Sequence, residues 1–162
     1  MNQEQKSIFN RRITQSNPSE MICVLYDMLL LDLKEAADIL EEDDRQYEKA
    51  NDCLRHATQV LEHLKNALDF SQGADISANL FSLYDYCQRL IARAMYMKSM
   101  LPITEVVNVV EPLSEAFCEV ATTDHSAPMM QHAQQVVTGY TYGRGDVNEA
   151  MNEYDSNRGF LV

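Results

Sequence analysis

Apolar residues recur at helical spacing over most of the chain, and polar residues divide this pattern into four segments. The first predicted helix has a well-marked start. Asn17 is placed to cap it, Pro18 to occupy its first turn and Glu20 to complete a capping box. The acidic run at residues 41–44 predicts the turn that follows. The apolar stripe of this helix comprises Ile22, Leu25, Tyr26, Leu29, Leu33, Ala36, Ala37 and Leu40.

Three further helices are predicted over about residues 45–70, 75–98 and 102–121. Gly73 ends the first of them, because glycine is favoured just past a helix terminus. Pro112 lies inside the last one and is expected to kink it or divide it in two, since proline removes a backbone hydrogen bond. The three apolar stripes are Ala50, Leu54, Ala57, Leu61, Leu64 and Leu68; Ile76, Leu80, Tyr84, Cys87, Ile91 and Ala94; and Ile103, Val106, Val110, Leu113, Phe117 and Val120.

Four amphipathic helices joined by short connections predict an all-α fold, an antiparallel four-helix up-down bundle over residues 17–121. Residues 1–16 are polar with a few apolar positions and lack sustained periodicity. Residues 122–162 are polar and contain four of the five glycines, so we expect a flexible tail.

The composition narrows the class of partner. The formal net charge of −12 argues against nucleic acid and against anionic membrane surfaces. The longest aliphatic run, Met28 to Leu31, lies between two aspartates and is too short to span a bilayer, so no membrane insertion is expected. The first residues have no apolar secretory segment. Four cysteines without a Cys-x-x-Cys pair suit a reducing compartment, and the predicted location is the bacterial cytosol.

The histidines do not form the motifs of a di-metal bundle, which needs Glu-x-x-His pairs. Cys53 precedes His56 by three residues, and Val60 precedes His63. Both histidines lie away from the leucine stripe of their helix. We therefore expect solvated surface histidines.

Each predicted helix carries one cysteine, yet only Cys87 lies within an apolar stripe. Cys23 and Cys53 flank their stripes and Cys118 points away, so a four-cysteine zinc site is not predicted. No phosphate loop or nucleophile elbow occurs either. The sequence predicts a protein that is not an enzyme and has no metal and no cofactor.

Two predicted helices carry more apolar surface than one core face requires. A helix that is apolar on two sides is normally covered on both. Residues 1–16, the tail or a second copy of the chain would supply such a cover, and a groove for a partner's amphipathic helix is the other interpretation. The additional residues are Met21, Val24, Met28 and Leu31 of the first helix, and Phe81, Leu83, Tyr86, Leu90 and Met97 of the third.

Two separated motifs carry a family resemblance. Residues 17–22, followed by Leu25-Tyr26-Asp27, resemble the start of the first bundle helix in the FliS-type flagellar export chaperones. The Leu83-Tyr84-Asp85-Tyr86 stretch, preceded by Gly73 and Asn79, resembles the family's second motif. The order and spacing match from about residue 8 to 121, although Asn17 stands where the family usually has serine.

The resemblance implies a cytosolic chaperone that binds the disordered C-terminal region of flagellin in apolar grooves and prevents premature polymerisation. It implies an N-terminal lid in residues 1–16, and it leaves open that an export-gate protein or a co-chaperone also docks. The alternative is a homodimeric helical-bundle adaptor without flagellin binding; a monomer or weak homodimer is expected. The predicted partner-binding residues are Ile8, Phe9, Met21, Val24, Leu25, Met28, Leu31, Leu80, Leu83, Tyr84, Tyr86, Leu90 and Met97.

Overall fold

The structure is a computed structural model that describes residues 3–42, 46–71 and 73–130, and over these ranges it is all-helical. The described residues belong to one compact unit, and most of the predicted tail, residues 131–162, lies outside them. The five helices are α1 (Gln3–Gln15), α2 (Pro18–Glu42), α3 (Tyr47–Asn66), α4 (Ala74–Met97) and α5 (Leu101–Ala121).

The four predicted helices are confirmed as α2 to α5, whereas α1 was not predicted. Its segment is strongly polar and carries few apolar residues, so no long apolar stripe marks it in the sequence. It becomes helical beside a neighbour, because tertiary packing provides most of the stability of short helices.

The start of α2 forms the predicted capping box. The backbone N–H of Glu20 donates to Asn17 Oδ1 at 2.8 Å, and the backbone N–H of Asn17 donates to Glu20 Oε2 at 3.0 Å. Pro18 is the first helical residue, where its missing N–H costs nothing. The chain direction at the α1–α2 junction is therefore set by local hydrogen bonds.

One predicted helix boundary is wrong, and division of the last helix, one of the two effects expected of Pro112, is excluded; the expected kink stays a prediction. Helix α3 ends at Asn66 rather than at Phe70, because Asp69 Oδ1 accepts the backbone N–H of Ser71 at 2.7 Å and favours a turn. Helix α5 continues through Pro112 as one helix, so proline does not divide it. Buried residues on both sides of Pro112, Val110 and Ser114, keep the two parts packed in register.

The helices pack in a closed order. Helix α2 contacts α3 and α5, and α4 contacts the same two helices; α1 packs against α2. Side chains from all four long helices meet in one core. Its largest fully buried members are Tyr26, Tyr84, Leu29, Leu33, Leu54, Leu61, Leu64, Ile91, Ile103, Val24, Val60 and Val106.

A tyrosine pair crosses this core. The hydroxyls of Tyr26 on α2 and Tyr84 on α4 are hydrogen-bonded at 2.5 Å, and both side chains are buried. Burial raises the pKa of both phenols, so they stay neutral. The pair connects α2 and α4, which are not neighbours in the packing order because α3 and α5 lie between them. It also satisfies two polar groups that would otherwise be buried without a partner.

Replacing both tyrosines should therefore cost less than the two single replacements added together. Tyr26→Phe or Tyr84→Phe alone leaves a buried hydroxyl unsatisfied, which should lower the free energy of unfolding by about 1–3 kcal/mol. The double variant removes both polar groups and should lose less than the sum of the single losses. Urea unfolding of the four proteins measures this, and strict additivity would contradict a direct coupling.

Candidate partner-binding surface

Helix α1 lies on α2 through one face. Phe9 is only 8% exposed, whereas its neighbour Ile8 is 44% exposed. Arg12 Nη2 pairs with Asp27 Oδ2 of α2 at 2.7 Å, and its guanidinium carbon lies 5.7 Å from the centre of the Phe9 ring. Both groups of the ion pair are about 40% exposed, so Phe9 burial contributes more than this pair to holding α1 in place.

A largely apolar groove lies at the α2–α3 boundary. Ile13 of α1 and Val60 of α3 line a cavity of about 380 Å³ together with residues of α2. The α3 side of its lining also contains three polar residues, which are His56, Gln59 and His63. Three of the predicted binding residues lie here, half-buried: Met21, Leu25 and Met28. We call this cavity the α1 groove.

A second apolar region lies where α2 and α4 begin and α3 and α5 end. Two cavities of about 420 and 250 Å³ meet there and share Ile22, Ala67 and Phe117. Their surroundings expose large apolar side chains. We call this region the apolar end; its exposed members are Phe70, Ile76, Phe81, Val120 and Met129.

Two of those residues were expected in the core. Ile76 is 68% exposed and Val120 is 62% exposed, although both follow the apolar stripes of their helices. They occupy the first turn of α4 and the last turn of α5, where the neighbouring helices no longer cover them. The Phe70 and Phe81 rings meet edge to face at 6.3 Å, and Lys65 Nζ lies 4.7 Å from the Phe81 centroid.

The remaining predicted binding residues divide by burial. Val24, Tyr84 and Leu90 are buried in the helix packing, so they offer no surface to a partner in this structure. Leu31, Leu80 and Leu83 are half-buried, and Tyr86 and Met97 are exposed. Leu80 belongs to the apolar end, and Arg93 Nε contacts the Met97 sulfur at 3.3 Å.

The cysteines and one histidine differ from expectation. Cys118 does not point away, because it lies beside Cys23. The pKa of Cys23 is raised to about 12, mainly by burial and in addition by the Cys118 thiol. Burial raises the pKa of Cys87 to about 11. The thiols of Cys23 and Cys87 are therefore protonated at neutral pH and are poor nucleophiles. His56 is only partly solvated, because its side chain is 36% exposed and its Nδ1 is hydrogen-bonded to the buried carboxylate of Asp32. His63 is exposed, as expected.

Comparison with known proteins decides the family. The family model described as "Flagellar protein FliS" matches residues 1–124, which covers all five helices. The chain belongs to the FliS family. FliS-family proteins are flagellar secretion chaperones, so this FliS-family chain has a chaperone role and is not an enzyme.

Two curated relatives carry the same name. The flagellar secretion chaperone FliS of Salmonella typhimurium is 27% identical over 110 residues, which are 67% of this chain and 80% of the relative. The flagellar secretion chaperone FliS of Bacillus subtilis is 26% identical over 105 residues, 65% of this chain and 76% of the relative. Among the described residues, no helix of this FliS-family chain combines the length and apolar character needed to cross a membrane.

The segment that follows α5 returns to the start of α2. The backbone N–H of Met129 donates to Ser16 O at 3.1 Å, and Asn17 Nδ2 donates to Asp124 O at 3.1 Å. Ser19 Oγ donates to Asp124 Oδ2. Residues 122–130 of the predicted tail are thus attached to the α1–α2 junction, and Met129 reaches the apolar end.

Asp124 should titrate well below an ordinary aspartate. The hydrogen bond from Ser19 and those from Ser126 lower its pKa from 3.8 to about 2. A lowered pKa means that the carboxylate stabilises this attachment above pH 3.8, and that the contribution disappears as the pH falls towards 2. A carboxyl-detected NMR titration measures the midpoint. Ser19→Ala should raise it, and a wild-type midpoint near 3.8 would contradict the hydrogen bonding.

Proposed function

We propose that this protein binds the C-terminal region of flagellin in the bacterial cytosol and prevents it from polymerising before export. Its FliS-family membership supports a partner among flagellar proteins. The observation that carries the proposal is the α1 groove, a largely apolar cavity of about 380 Å³ with Ile13 of α1 in its lining. A cavity lined mainly by apolar side chains suits the apolar face of a partner's amphipathic helix.

We further propose that α2 to α5 form an antiparallel four-helix bundle and that α1 is its lid. The closed packing order supports the bundle, because each long helix contacts two others. The apolar end supports alternating directions, since two helices begin there and two end there. The single buried aromatic side chain of α1, Phe9, supports a cover that is held weakly enough to open.

The distribution of apolar surface favours a partner that follows the bundle over several faces. The α1 groove and the apolar end share Met21 and Leu25, and Tyr86 and Met97 are exposed on α4. The apolar surface thus includes residues of several helices. A disordered segment can cover it, because such a segment folds as it docks and can wrap a large surface, at a cost in ordering entropy. The flexible side chains of Met21 and Met28 suit such an adaptable contact.

Deleting residues 1–12 should strengthen binding of a flagellin C-terminal peptide. The peptide then no longer competes with α1, whose Phe9 burial contributes roughly 1.5–3 kcal/mol. That energy corresponds to about a tenfold lower Kd or more. Calorimetry with a peptide of about 40 residues measures the Kd, and the heat-capacity change on binding should be negative.

Single substitutions in the full chain provide matched controls for this deletion. Phe9→Ala should tighten binding as the deletion does, because it removes the buried anchor of α1. Ser7→Ala changes an exposed α1 residue that is not a predicted binding residue, and it should leave the Kd unchanged. Unchanged or weaker binding after the deletion would count against the lid, and no detectable binding by any variant would count against flagellin as the partner.

A charge in the proposed surface should weaken binding without unfolding the protein. Met28→Glu places a carboxylate in the α1 groove, and Leu83→Glu places one on α4, where both native side chains are half-buried. Ala92→Glu adds the same charge at an exposed α4 position, about half a turn around the helix from Leu83, and should bind normally. Calorimetry measures the loss of binding and thermal unfolding measures the loss of stability. A variant that unfolds identifies a core position.

A stable dimer of the wild type in light scattering would favour the adaptor alternative instead.

A further inference from the structure

Two pairs of polar residues face each other across the α2–α3 boundary. Asp32 and Glu35 are three residues apart on α2, and Cys53 and His56 are three residues apart on α3. Residues three apart lie on the same side of a helix. A carboxylate oxygen of Asp32, one of Glu35 and the Cys53 sulfur all lie within 4.8 Å of one another.

Asp32 is buried in an unusual way for an acidic residue. Its side chain is 1% exposed, and Oδ2 is hydrogen-bonded to His56 Nδ1. The other oxygen, Oδ1, is buried and accepts no hydrogen bond from the described part of the chain. A buried carboxylate oxygen without a donor is costly, and such groups call for an ion or water.

The space beside these residues admits a ligand. Asp32, Glu35, Cys53 and His56 line a cavity of about 410 Å³. Lys6 of α1 and Lys49 of α3 also line it, and both are exposed; Lys49 Nζ donates to Gln46 Oε1 at 2.8 Å. Ile39 and Asp52 complete the lining.

The donor atoms select the class of ligand. One sulfur and two carboxylate oxygens suit a divalent transition metal, and calcium or magnesium would require an all-oxygen site. Zinc accepts this mixture, prefers four ligands and commonly takes water as the fourth.

We propose that Asp32, Glu35 and Cys53 form a binding site for Zn²⁺, with water as the fourth ligand. His56 holds the Asp32 carboxylate in position through its hydrogen bond, in the way that an outer partner orients a metal ligand. The ion links α2 to α3 close to the beginning of α1. Two carboxylates and a thiolate carry three negative charges, so the bound site retains one. The Asp52 carboxylate in the same cavity adds a second, and Lys6 and Lys49 balance the two.

Four converging cysteines and Glu-x-x-His pairs are the metal motifs that the sequence lacks. This site is of a different kind, because it uses one cysteine, two acids and a supporting histidine from two neighbouring helices. The proposal is independent of flagellin binding, and its test involves no flagellin.

Zinc titration of the full, tag-free chain in competition with a chromophoric chelator tests the site. The wild type should bind one ion per chain, and Cys53→Ser and Asp32→Asn should each abolish this binding. His56→Ala should weaken it by about 10–100-fold, as expected for an outer partner. Cys118→Ser and His63→Gln change residues outside the site and should bind as the wild type does.

Cobalt replaces zinc in a second measurement that needs no variant. Co²⁺ bound to the wild type should show the near-ultraviolet charge-transfer band of a cobalt–thiolate bond, and zinc should displace it. This spectrum decides the matter if circular dichroism shows that the Cys53 or Asp32 variant does not fold. Absence of the band, absence of zinc binding, or unchanged zinc affinity in a folded Cys53→Ser protein would each overturn the proposal.

Discussion

Helix α2 has more apolar surface than one neighbour can cover, and the packing of the other helices follows from that constraint. It contacts α3 and α5 in the core and α1 on a further side. A helix with two apolar sides is stable in water only when both are covered. The short, polar α1 provides a cover from within the chain, and it buries one aromatic side chain rather than a continuous stripe. The strength of that cover therefore differs greatly from the strength of the core.

Under the proposed function, this difference divides the structure into a fixed part and an exchangeable part. The fixed part includes the Tyr26–Tyr84 hydrogen bond and the fully buried leucines, whose removal would leave cavities or unsatisfied groups. The exchangeable part includes α1 and the α1 groove, where methionines are half-buried and the ion pair is open to solvent. A chaperone needs this combination, because its own fold has to persist while one surface changes its occupant.

Local signals predicted the four long helices, and the α2 capping box was correct to the residue because its hydrogen bonds join residues three apart. Exposure at the helix ends was not predictable from periodicity. Ile76 and Val120 follow the stripe, yet no neighbouring helix reaches that far. The cluster around Asp32 was missed for a different reason. Its members come from two helices, and only the register between those helices brings a lone aspartate to a cysteine and a histidine.

The hydrogen bonds between the α1–α2 junction and the segment after α5 bear on where this domain ends. Family similarity stops at residue 124, but the backbone of Met129 is bonded to Ser16 and its side chain lines the apolar end. The folded unit therefore extends past the residues that the family model matches. Met129 attaches this segment to the α1–α2 junction, so a protein shortened to residue 124 would lose that hydrogen bond as well as part of the apolar end.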